Sequence, residues 1–334
     1  MHARLIAITL AATFGAALVP GQSTPSPALL VLSKKDLTLA IVDPTTLKVV
    51  ARMPSGPDPH EVEASSDGKL AYISNYGFGA YNTITVADLA AQKTLRAIDL
   101  GALHGPHGLY YAAGKLYFTA EANKVIGSYD PAADKIDWIM GTGQDRTHMV
   151  FVWNDLAHIA TSNVSSGTIS ILEKGMAGPP GRQAANWTQT VIPVGRGSEG
   201  FDVSPDGKEL WAANAGDGTV SVIDVVAKKV VATLDANVRS ANRLKFTPDG
   251  KLVLVSCLGN SDVTVLDAAT RQVAKRIKIG RGAAGIQMQP DGARAFAACT
   301  PDDYVAVIDL KTLAVTGHID AGGGPDGMAW AVRK

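Results

Sequence analysis

Short apolar runs with partial alternation of apolar and polar positions recur along the chain, each followed by a turn signal. The unit is plainest at Glu199–Leu234, EGFDVSPDGKELWAANAGDGTVSVIDVVAKKVVATL. A period of two over such short runs marks half-buried strands. Four are predicted: A over Phe201–Ser204, B over Leu210–Asn214, C over Thr219–Asp224 and D over Lys229–Leu234. Pro205-Asp206-Gly207 supplies the A–B turn, where Pro presets φ and Gly accepts φ > 0. Gly216-Asp217-Gly218 turns B into C.

The acidic residue that closes strand C can be followed through the sequence as Asp43, Asp88, Asp130, Glu173, Asp224, Asp267 and Asp309, at intervals of 45, 42, 43, 51, 43 and 42. The A–B turn returns as SSDGK at Ser65, SPDGK at Ser204, TPDGK at Thr247 and QPDGA at Gln289. Seven anchors predict seven four-stranded repeats, an all-β seven-bladed propeller of antiparallel blades. The interval of 51 absorbs an insertion, Lys174–Asn186, expected to be a plain surface loop. The ends are offset. The first strands, Leu29–Leu32, Leu37–Val42 and Leu47–Arg52, read as B, C and D, and the chain finishes on a lone A strand, Gly327–Val332. The last blade is therefore expected to join the C-terminal strand to three N-terminal ones, which leaves no open sheet edge.

Composition adds a compartment. Leu5–Val19 is apolar, follows a positively charged Met1–Arg4 and leads to small residues at Val19-Pro20-Gly21, the pattern of a secretion signal over residues 1–21. Gln22–Pro27 (QSTPSP) reads as a short disordered linker, and 28–334 as the propeller. The expected location is periplasmic or secreted. No later stretch is long and apolar enough for a membrane span. Lys+Arg and Asp+Glu both number 31, with no polybasic run, which argues against a nucleic-acid partner.

The repeats resemble the bacterial YVTN-type (YncE-like) propeller family, on Trp211–Asp224 (WAANAGDGTVSVID), Tyr72–Asp88, Val255–Asp267 and the PDGK turns. The resemblance covers nearly the whole mature chain and is strongest over Glu199–Ile319. His107–Asp130 (HGLYYAAGKLYFTAEANKVIGSYD) also resembles one repeat of the streptogramin-lyase propellers. The resemblance implies the fold and no single activity, because propellers host binding proteins, lactonases, lyases and redox enzymes.

Strand direction puts the start of A and the end of B on one face. Strand A is innermost, so the seven A-strand starts ring the mouth of the central channel. That slot reads His60, His107, His148, Glu199, Asn242, Ala284 and Asp326. Three of the six histidines beyond the leader occupy it in consecutive blades. Neutral imidazoles converging beside a carboxylate are ligands for a divalent transition metal, with Glu199 or Glu121 as fourth ligand or general base. His104 is expected at the rim. The ends of strand B give a wider ring of Asn75, Glu121, Asn163, Asn214, Cys257 and Cys299, the asparagines serving as caps of B–C turns. The two cysteines, one repeat apart, are expected as buried free thiols. Tyr76, Phe78 and Tyr81 in YGFGAY offer an aromatic rim for a ligand or partner, and Arg239 and Arg243 an anion-attracting side. No serine-nucleophile motif, phosphate loop or haem-attachment motif is present. These features favour an extracytoplasmic binding propeller that presents a His-rich mouth to a small molecule or protein partner. The alternative is a metal-dependent lyase, lactonase or oxidase using the three histidines.

Overall fold

A computed structural model describes residues 22–334. The apolar segment read as a secretion signal lies outside the described residues. Seven four-stranded antiparallel sheets stand around one axis as a seven-bladed β-propeller. We number the blades from the first whose strands are consecutive in sequence. Their innermost A strands are Pro59–Ala64, Pro106–Ala112, Thr147–Val152, Ser198–Val203, Ala241–Phe246, Ala283–Met288 and Pro325–Ala331. The seventh blade closes the ring: Pro325–Ala331 pairs with Ala28–Ser33, followed by Thr38–Asp43 and Lys48–Pro54.

Burial follows from position in the blade. The middle strands are packed on both faces, as in Leu210–Asn214, whereas the outer Lys229–Asp235 alternates exposed and half-buried. The apolar residues of neighbouring blades interlock between the sheets. Trp211 and Val222 of the fourth blade meet Leu244, Phe246 and Val255 of the fifth, all buried. The recurring Asp of strand C is a turn former: Oδ1 of Asp88 accepts the amides of Ala90 and Ala91 at 2.9 and 2.8 Å, and Oδ1 of Asp309 that of Thr312 at 2.7 Å. Such local side-chain bonds explain why this letter, rather than an apolar one, marks the period.

Three expectations need correction. The insertion is a continuation of the third blade's outer hairpin rather than a plain loop, with strands Thr168–Ala177 and Ala184–Pro193 paired in register to Ala177↔Ala184. Residues 22–27 do not form a free linker. Thr24 is buried, its hydroxyl bonds the Leu89 carbonyl at 2.5 Å, and Arg333 bonds its carbonyl. The asparagines ending strand B do not cap turns. Each reaches across to strand C: Nδ2 of Asn75 donates to the hydroxyls of Thr83 and Thr85, both at 2.9 Å, and Asn214 does the same to Thr219 and Ser221. In the fifth and sixth blades the slot carries Cys257 and Cys299, both buried and unpaired. Burial pushes their thiols up to about 12 and about 11.

Candidate functional site

A β-bulge at the start of every A strand builds the mouth. Register with strand B slips between Pro59 and Val62, between Pro106 and Leu109, between Thr147 and Val150, and at the matching place in the other four blades. A bulge re-aims the residue it contains. His60, His107, His148, Glu199, Asn242, Ala284 and Asp326 all line one cavity of about 390 Å³ at the channel mouth. The next residue is glycine in four blades, because the neighbouring inner strand passes too close for a side chain. A Cβ on Gly108, Gly200, Gly285 or Gly327 would lie 2.5, 2.5, 2.1 or 2.2 Å from the carbonyl oxygen of His148, Asn242, Asp326 or His60. Where the position is not glycine it carries Glu61, Met149 and Arg243. Glu61 and Arg243 form a buried ion pair from opposite blades, with Arg243 Nε 3.1 Å from Glu61 Oε1. This pair stands between the mouth cavity and a smaller channel cavity of about 120 Å³.

The backbone before the slot is also repeated. Two residues upstream the chain is left-handed in every blade: Asp58 (φ 42°), Gly105 (66°), Arg146 (54°), Gly197 (71°), Ser240 (59°), Gly282 (58°) and Gly324 (61°). Glycine takes this conformation freely, and other residues at roughly 1–2 kcal/mol. Asp58 and Arg146 occupy it nonetheless, and both reach the site. The Asp58 carboxylate bonds the Gly77 amide at 2.8 Å and lies 3.3 Å from His60 Nε2.

The rings form one cluster. His107 and His148 lie with centroids 3.7 Å apart at 31°, and His60 is 5.1 Å from His107. Tyr76 stands edge-on to His60 and His107 at 4.7 and 4.9 Å, and Phe78 is 4.9 Å from Tyr76. His148 is 1% exposed. Its Nδ1–H donates to Glu121 Oε1, and Nε2 lies 3.5 Å from Glu199 Oε1. The Tyr76 hydroxyl donates to the other oxygen of Glu121, and Asn242 Nδ2 donates to Glu199 at 3.0 Å.

These contacts separate the protonation states. Burial alone would push the His148 imidazole down. The hydrogen bonds to Glu121 and Glu199 reverse this and hold it above the usual histidine range. Burial and the neighbouring His148 charge hold His107 well below that range. Burial opposes ionisation of Glu199, but the His148 bond and the charges of Arg243 and Arg146 bring it down to about 2. Glu121 is likewise held low: its burial is outweighed by its bond to His148. The two carboxylates favour the protonated form of His148, and His148 in turn favours the neutral form of His107.

Such an arrangement does not suit the expected metal ligand set. The His107 and His148 rings lie tilted against each other at 3.7 Å, and His148 Nδ1 is already engaged by Glu121. Lys34 Nζ donates to His60 Nε2. Among the described residues no group of three His, Cys, Asp or Glu side chains is arranged to hold a metal ion. Glu121 lies behind the wall of the cavity as the partner of Tyr76 and His148. Tyr76, Phe78, Arg243 and Asp326 line the cavity. Tyr81, His104 and Arg239 do not. Tyr81 packs beside Gly77, His104 is anchored through its amide to Asn123, and Arg239 turns back to the Gly216 carbonyl of its own blade's B–C loop. The cavity also has lining residues that sequence reasoning missed: Lys34, Lys35 and Arg146. For Arg146 a signal existed, namely a charged letter in a slot that is glycine in four of the seven repeats.

No protein-family model matches the chain, and no curated protein is similar to it in sequence. Solved structures share the fold. A functionally unknown protein from Desulfotomaculum acetoxidans superposes with a TM-score of 0.77 at 13% identity, over 92% of this chain and 100% of that one. A protein provisionally described as a 6-phosphogluconolactonase from Bacteroides uniformis gives 0.74 at 14% identity, over 91% and 99%. Hydrazine synthase from Kuenenia stuttgartiensis gives 0.68 at 18% identity, over 82% and 92%. At these identities the likeness establishes the propeller architecture and nothing about the chemistry.

Proposed function

We propose that this chain is an extracytoplasmic binding propeller that takes a small molecule in the His-lined cavity at its channel mouth. The observation that carries the reading is convergence: seven equivalent positions, scattered from residue 60 to residue 326, line one cavity floored by a buried ion pair. Its volume of about 390 Å³ lies within the roughly 300–1,000 Å³ usual for ligand pockets. Five aromatic or imidazole rings supply a largely apolar wall, and the few polar groups among them are fixed by neighbours, as a specific pocket requires. Phe78 is 81% exposed beside this wall, on a loop whose backbone is left-handed at that residue, and is a ring available to an incoming ligand. Secretion rests on the apolar leader at Leu5–Val19. The repeat wording resembles the YVTN-type propeller family, and binding proteins are among the roles that fold supports. No helix among the described residues is long and apolar enough to cross a membrane.

A panel of small aromatic acids, amines and neutral aromatics should contain compounds that move the ring signals of His60, His107 and His148 together in histidine-labelled protein. His107→Ala should weaken those compounds by about tenfold or more, the loss of one well-packed contact worth about 1.4 kcal/mol. Compounds that bind without moving these signals, or that bind the variant equally, place the ligand elsewhere. Equimolar zinc should leave the three signals in place. Tight zinc retention abolished by the same substitution would instead support the metal-dependent reading.

A further inference from the structure

Four lysine and arginine side chains line the mouth cavity, and three of them are already committed. Arg243 is paired with Glu61. Lys35 lies 2.5 Å from Asp303. Lys34 is shared between Asp58 at 3.5 Å and Asp326 at 3.4 Å, and also bonds His60. Arg146 differs. Its side chain is 40% exposed and makes no close ion pair: Nε approaches Glu121 at 3.5 Å, and the guanidinium also lies near the Tyr76 hydroxyl. The guanidinium lines the cavity with donors to spare, in the fork geometry that fits a carboxylate. Its backbone strengthens the point. Arg146 holds a left-handed conformation at a place where four of the seven blades use glycine. Asp58 holds the same conformation in the first blade and also reaches the site, through His60.

Resting on the binding reading above, we infer that the mouth cavity takes a small aromatic carboxylate, its carboxylate held by the Arg146 guanidinium and its ring laid against Tyr76, Phe78 and His60. Tyr76 and Phe78 stand within 6.2 Å of the His60 ring, an arrangement that leaves a flat molecule several ring faces and edges to meet. Asp326, in the seventh blade, lies across the mouth from Arg146 in the third and disfavours a second negative group there, whereas Glu199, in the next blade, is already shared by His148, Asn242 and the Arg146 charge.

Three probes of one shape separate the terms: benzoate, benzamide and benzamidine, titrated calorimetrically and by the histidine ring signals. Benzoate should bind about tenfold tighter than benzamide, the worth of one charge-assisted hydrogen-bonded pair, and benzamidine should be weakest. Arg146→Gly should bring benzoate and benzamide within about twofold of each other without lowering the thermal midpoint, because glycine suits the left-handed backbone. Arg146→Lys should keep part of the preference, since it retains charge and loses the fork. Benzamide or benzamidine binding as tightly as benzoate while moving the histidine signals would overturn the anion assignment and leave the cavity as a binding site. A benzoate preference that survives Arg146→Gly, or an Arg146→Gly protein with a lowered midpoint, would also overturn it, the latter by showing a structural role. Failure of all three probes to move the histidine signals at millimolar concentration would overturn both readings together.

Discussion

Glu121→Ala is expected to destabilise the folded protein by about 3–5 kcal/mol, the usual consequence of removing one member of a buried, hydrogen-bonded charge pair. Glu121 bonds both Tyr76 and His148, and His148 is buried. Its loss leaves an imidazole without its Nδ1 acceptor and a tyrosine hydroxyl without a partner. Glu121→Gln keeps an acceptor of the same shape, so it should cost less; urea unfolding of the two variants at neutral pH measures the difference. The pH dependence has a definite sign. His148 is held above its unfolded value near 6.5, so its contribution is in place below that pH and is lost as pH rises through the folded value. Glu121 is held below its unfolded value near 4.5, so its contribution is in place above that pH and is lost as pH falls through the folded value. Removing Glu121 should therefore flatten the loss of stability on the alkaline side of 6.5. A cost under about 1 kcal/mol, the level of an exposed pair, would mean that this carboxylate is not the buried partner of His148.

Gly327→Ala is expected to cost about 1–3 kcal/mol through overpacking, and to disturb His60. The methyl group would stand 2.2 Å from the His60 carbonyl oxygen and 3.0 Å from Glu61 Cα. Both obstacles are backbone, so no side chain can swing away to relieve the clash. The strain falls where the C-terminal strand of the closing blade meets the first blade, and it would separate His60 from Asp326 across that junction. Gly141→Ala is the control, since nothing lies within 4 Å of a Cβ there. Equal stability of the two variants would show that the inner strands are farther apart than described.

The propeller was legible because each repeat writes its own turns. Asp309 and its equivalents hold their turns through their own side chains, so the period survives in the letters even where apolar residues vary. The ring of A-strand starts was legible for a related reason: equal offsets in equal repeats become neighbours around an axis. What stayed hidden depends on backbone detail and distance. Tyr81, His104 and Arg239 are close to the mouth in sequence, but contacts with neighbouring B–C loops hold them outside the cavity. Arg146 enters because its left-handed backbone aims it, a property shared with glycines that have no side chain to reveal it. The asparagines were read as turn residues, although the hydroxyls they clasp lie on the next strand, in Thr83, Thr85, Thr219 and Ser221. The three imidazoles share the cavity, but among the described residues no three ligating side chains gather to hold a metal ion, an arrangement that spacing does not encode.

The convergence of the inner strands is tested most directly by the nitrogen-15 signals of the histidine rings as a function of pH. At pH 6.5 His148 should be an imidazolium and His107 a neutral imidazole, and His148→Gln should raise the His107 value by removing the adjacent charge. Two histidines that both titrate near 6.5, each indifferent to substitution of the other, would mean that 107 and 148 do not share one mouth.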